Sequence, residues 1–131
     1  MKILLPPGWP RPTGYSNGVA GVGRLVFTAG VIGWDETEGI VAPDLVGQLR
    51  QVLFNTLAIL AEDEAGPEHI VRMTWYVVDM AAYRARLAEI GAVYRAIVGR
   101  NFPAMAVVQV AGLVEPAALI EIETTAVVPT R

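Results

Sequence analysis

The side chains here with the chemistry to act on a substrate are few and lie far apart in sequence. Gly14-Tyr15-Ser16-Asn17-Gly18 fits the G-x-S-x-G pattern of a hydrolase nucleophile elbow and holds the only serine, while His69 is the only histidine. An elbow needs a strand before its serine and a helix after it. Here prolines precede and a glycine-broken strand follows, so the match reads as accidental. His69 falls at a turn between a helical and a strand pattern, where a solvated imidazole is expected. One histidine and no cysteine leave no imidazole or thiolate metal centre, no disulfide and no thiol nucleophile. Glu121 and Glu123 stand two apart in an alternating run, so both carboxylates project from one strand face about 7 Å apart. Such a pair could do acid–base work, or be the solvated carboxylates of an edge or interface strand.

Other constellations carry less. Glycines 18, 21, 23, 30 and 33 form neither G-x-G-x-x-G nor a phosphate loop. Tyr15, Trp34, Trp75 and Tyr76 could line a pocket for a flat or apolar ligand, although aromatic residues on strands ordinarily belong to the core.

The elements that must position these residues follow from periodicity. The first 23 residues hold four prolines and five glycines and read as an extended arm with turns. Leu25 to Ile32 is a β-rich apolar run that suits a strand covered on both faces. Asp44 can cap a helix whose apolar positions are Leu45, Leu49, Val52, Leu53, Leu57 and Leu60, closed by Gly66-Pro67. Ile70 to Val78 alternates, with Val71, Met73, Trp75 and Val77 on one side. Asp79 can cap a second helix bearing Tyr83, Leu87, Ile90 and Tyr94 on one face and ending near Gly99. Strands from Ala104 to Leu113 and from Leu119 to Val128 complete an α+β domain, with both helices laid on one face of a mixed sheet.

A chain of 131 residues is one domain, residues 1–131, and can bury roughly two thirds of its unfolded surface. Hydrophobic residues make up 53% and charged ones only 18%, and the strands are apolar on both sides of the pleat. Something must cover the second face, and with no third layer available another copy of the same sheet is the simplest cover. Ten basic and thirteen acidic residues give a net charge of −3, which disfavours nucleic acid as a partner. The apolar run after Met1-Lys2 is too short for a secretory signal, and no run reaches membrane-spanning length, so a cytoplasmic chain without a membrane partner is expected.

Gly14-Tyr15-Ser16-Asn17, Leu25-Val26-Phe27-Thr28-Ala29-Gly30, the helix with Asp44, Gln48, Asn55 and Leu60, Ile70-Val71-Arg72, Tyr76 to Met80, Tyr94, Pro103-Ala104 and Ile120-Glu121-Ile122-Glu123 occur together in order. In this the chain resembles the RidA family, also called YjgF or L-PSP, over nearly its whole length. The resemblance implies a chorismate-mutase-like fold with a six-stranded mixed sheet and two helices on one face, assembled as a homotrimer. It implies small-molecule sites in the clefts between subunits, and hydrolysis of reactive imines or enamines to ketones and ammonia without cofactor or metal. By position, Glu121 would orient the attacking water, Tyr15 would border the cleft, and Ala29 and Gly30 would offer backbone groups. Where imine-deaminating members have an arginine that grips the substrate carboxylate, this chain has Met105. Val107 replaces a frequent cysteine, and Gly91 a frequent asparagine. Methionine offers no charge and no donor, so a less anionic or aromatic-derived substrate is expected, bound in part by Met105 and Val107. Arg24 or Arg72 could stand in for the missing cation. The alternative is a trimer that binds a small molecule or a partner without catalysis. A ribonuclease reading has little support in an acidic chain with one histidine.

Overall fold

The glycine- and proline-rich beginning of the chain holds more structure than its composition suggests. In the structure, a computed structural model describing residues 1–130, β1 (Lys2–Leu4) and β2 (Gly18–Ala20) pair antiparallel as a separate two-stranded ribbon. Three-residue strands between turns are too short to show alternation, so the ribbon is invisible to periodicity. Then follow β3 (Arg24–Phe27), α1 (Leu45–Ala61), β4 (Ile70–Val77), α2 (Met80–Arg84), α3 (Leu87–Ile97), β5 (Ala104–Gln109) and β6 (Ile120–Val128). The six strands therefore divide into that ribbon and a four-stranded mixed sheet in the order β3-β6-β4-β5, in which only β4 and β5 run parallel. No described helix is long and apolar enough to cross a membrane.

Both aspartate caps form. Asp44 accepts from the Gly47 N–H and Asp79 from the Ala82 N–H, each satisfying a donor that the first helical turn leaves free. The single second helix expected from Asp79 onward is two, because the chain breaks at Ala85-Arg86 before α3 begins. β3 stops at Phe27, and Val31 rejoins the sheet only by an isolated pairing with Ile122.

Register decides which side chains share a face. Met73 stands opposite Met105 and Thr124, and Trp75 opposite Val107 and Ile122. That face receives Leu49, Val52, Leu53 and Leu60 of α1 and Ile90, Val93 and Tyr94 of α3, all buried. Each such aliphatic side chain contributes about 1.5–3 kcal/mol by leaving water. A bulge between Ile70 and Arg72 shifts the phase, so Ile70 enters the core and Val71, expected there, does not.

The other face is open. Tyr76 stands opposite Val108 and Glu121, and Thr74 opposite Glu123. β3 adds Leu25 and Phe27, which are 58% and 65% exposed. The expectation that β3 is covered on both faces thus fails for a single copy of the chain.

Candidate functional site

Ser16 and His69 have structural work. The Ser16 N–H donates to the Pro103 carbonyl and its hydroxyl to the Phe102 carbonyl, which ties the arm alongside β5 as a further, parallel pairing with Ala104. A buried serine engaged in this way is no nucleophile. Instead of being a free surface imidazole, His69 is half-buried, and its Nδ1 accepts from the Gly66 N–H at 2.9 Å, closing the turn that leads into β4.

Tying down Ser16 places Tyr15 at the rim of a cavity of about 780 Å³ on the helix side of the sheet. Its floor is Trp75 with Met105 and Val107, and its far wall is Tyr83, Leu87, Ile90, Gly91 and Tyr94. The aromatic rings are continuous. Trp75 meets Tyr83 edge-on at 6.4 Å and Tyr94 at 6.1 Å, and Tyr94 stacks on Phe102 at 6.0 Å. Burial holds the phenols of Tyr83 and Tyr94 above the usual tyrosine range, so both stay neutral. Tyr15, Met105 and Val107, three of the residues singled out in sequence, share this cavity.

Glu121 does not. Strand alternation sends it to the open face, with the body of the sheet between it and the cavity floor. β6 also lies two strand spacings from β5, about 9–10 Å. On the open face Glu121 lies against Gly30, where an added Cβ would stand 2.6 Å from the Glu121 Cδ and Oε2. The Thr28 N–H donates to Thr124 and the Val31 N–H to Ile122. Between them the exposed N–H groups of Ala29 and Gly30 find no acceptor among the described residues. Glu121, Ala29 and Gly30 thus form a second cluster, a half-buried carboxylate beside two free backbone donors. Glu123 is engaged separately, accepting from the Tyr76 hydroxyl at 2.6 Å, a bond that raises the Tyr76 pKa.

Neither arginine considered from sequence reaches the cavity. Arg24 pairs with Asp63 at 2.8 Å, and Arg72 shares the open face with Glu121 and Glu123. The cation that lines the cavity is Arg95, which the sequence reading passed over. Its signal was the four-residue spacing from Gly91 on the helix face that also carries Leu87.

Residues 10–128 match the family described as Endoribonuclease L-PSP. Among curated proteins, the chain is 36% identical over 116 residues to the 2-iminobutanoate/2-iminopropanoate deaminase of Salmonella typhimurium, covering 86% of each. It is 32% identical over 126 residues to the 3-aminoacrylate deaminase RutC of Acinetobacter baylyi, covering 95% of this chain and 96% of that one. Among solved structures, it superposes with a TM-score of 0.86 on YyfB, a conserved Rid family protein of Yersinia pestis. That match has 33% identity and covers 97% and 98% of the two chains.

Proposed function

Because the chain belongs to the endoribonuclease L-PSP family, the RidA and YjgF group it resembles in sequence, we propose that it hydrolyses a reactive imine or enamine of a small metabolite. The site would be a cleft between copies of the chain. The observation that carries this reading is the separation of the two clusters by the sheet. A carboxylate with two free N–H groups occupies the open face, and an apolar cavity edged by Tyr15 lies on the helix side. Neither cluster alone has both a base and a container for a substrate. A second copy laid on the open face would bring one copy's Glu121 to the other's cavity rim, and would cover Leu25 and Phe27. The proposed assembly is a homotrimer.

In that cleft the Glu121 carboxylate takes a proton from water as its oxygen attacks the C=N carbon, giving a carbinolamine. The Tyr15 hydroxyl donates to the nitrogen, and the Ala29 and Gly30 N–H groups offer partners for developing negative charge. In the collapse of the carbinolamine the proton held by Glu121 passes to the nitrogen and the hydroxyl proton returns to the Tyr15 oxygen, so the C=O bond forms, C–N breaks and ammonia leaves. No redox step or cofactor is needed. Met105 and Val107 shift preference from compact, doubly polar imino acids toward apolar or aromatic-derived ones. The net charge of −3 supports a small molecule, rather than RNA, as the substrate.

Ammonia release from freshly generated imines tests the reading. Turnover should be lost by about 100-fold or more in Glu121→Ala if that carboxylate is the base. Binding of the same molecules without turnover would make the chain a binding trimer instead.

A further inference from the structure

Within the reading of the helix-side cavity as the ligand site, we infer that Arg95 anchors a carboxylate there. The ligand would then carry that carboxylate on a flat apolar group, in the chemical class of aromatic 2-imino and 2-oxo acids. Among the described residues, Arg95 is the one charged residue lining the cavity. Its guanidinium folds back one helical turn, and Nη1 lies 3.1 Å from where a Cβ on Gly91 would stand. Gly91 also lines the cavity, and with no side chain there the guanidinium lies close against that part of the wall.

The guanidinium is also uncommitted. Arg24 is spent on Asp63 and Arg86 on Glu89, whereas Arg95 makes no ion pair among the described residues. A free guanidinium beside an apolar floor is a carboxylate site, because its planar fork matches two carboxylate oxygens and weak hydration lets it work near apolar walls. The rest of the cavity specifies the remainder of the ligand. Tyr83, Trp75, Tyr94 and Phe102 form a continuous aromatic wall. Trp75 adds a buried indole N–H with no acceptor among the described residues. At about 780 Å³ the space has room for a ring as well as a carboxylate. The charge absent at position 105 is thus restored from the helix wall across from the strand that carries Met105, with an aromatic surface between.

Titration calorimetry of the full chain with phenylpyruvate, pyruvate and phenylacetone tests this. The three probes carry ring and carboxylate, carboxylate alone, and ring alone. Phenylpyruvate should bind at least about tenfold more tightly than either of the others. Arg95→Gln should bring phenylpyruvate down to the phenylacetone level and leave phenylacetone unchanged, while Arg50→Gln, on α1 and not among the residues lining the cavity, changes neither. Gly91→Ala should raise the melting temperature, since alanine favours a helix interior, and yet weaken phenylpyruvate binding by displacing the guanidinium. If phenylacetone and phenylpyruvate bind equally and Arg95→Gln alters neither, the anchor is refuted while the cavity stands. If neither aromatic probe binds, the cavity reading falls and the anchor with it.

Discussion

Gly30 and Glu121 fit together through the absence of one carbon: a Cβ on Gly30 would stand 2.6 Å from the Glu121 Cδ and Oε2. The carboxylate therefore rests on bare backbone, beside the free N–H groups of residues 29 and 30. Gly30→Ala must push the carboxylate aside, and because φ at Gly30 lies outside the left-handed region, the backbone itself accepts alanine. Imine hydrolysis should fall by about 10- to 100-fold with little change in melting temperature, in line with the sensitivity of a positioned base to small displacements. An alanine variant with unaltered turnover would remove Glu121 from the reaction.

Gln48 holds the loops at one end of the sheet to α1. Its Nε2 donates to the carbonyls of Ala42 and Ala117 at 3.0 Å, and its Oε1 accepts from the Leu119 N–H at 2.8 Å, all from a side chain that is 1% exposed. Gln48→Leu leaves two carbonyls and one N–H without their partner at a partly buried site. A loss of about 2 kcal/mol is expected in denaturant unfolding.

Two buried threonines should respond oppositely to the same substitution. Thr56 donates its hydroxyl to the Val52 carbonyl at 2.8 Å, whereas the Thr124 hydroxyl is buried with no partner among the described residues. Thr124→Val removes an unsatisfied polar atom and keeps the shape, so a gain of about 1 kcal/mol is expected. Thr56→Val should cost about 1 kcal/mol. Melting curves of the two variants give the comparison directly.

The tyrosines set the alkaline limit. Burial raises the Tyr83 and Tyr94 pKa values, and the hydrogen bond to Glu123, then withdrawal from water and nearby carboxylates, raises that of Tyr76. The fold thus keeps all three protonated at pH values where tyrosines of the unfolded chain, near 10, have begun to ionise. The unfolded state then binds fewer protons, and stability falls with rising pH. These groups give no slope between about pH 7 and 9 and a loss above about 10. The loss should be shallower in Tyr94→Phe. A melting temperature that holds level through the tyrosine range would contradict the assignment.

Local patterns were legible in the sequence and their combination was not. Alternation gave β4 and β6, and Asp44 and Asp79 gave both capped helix starts. The bulge at Val71 was hidden, since one extra residue changes the phase without changing composition. The β1–β2 ribbon was hidden by its length. Alternation within β5 and within β6 says which residues of each strand share a side, but not that Met105 and Glu121 face opposite ways. That depends on how both strands register against β4, a long-range relation. Arg95 escaped for a similar reason, because an exposed arginine on a helix gains meaning only when the glycine one turn earlier proves to line a cavity.

The central claim is that one copy carries only half of each site, with Glu121 on the open face and the Tyr15-edged cavity behind the sheet. Mixing Glu121→Gln chains with Tyr15→Ala chains under subunit exchange, verified by native mass spectrometry, tests it most directly. If each variant alone is inactive, the mixture should recover up to about a quarter of wild-type imine hydrolysis, the share of clefts that receive both intact residues by random assortment. A mixture that exchanges subunits and stays inactive, or a wild-type chain that is monomeric and fully active, would contradict it.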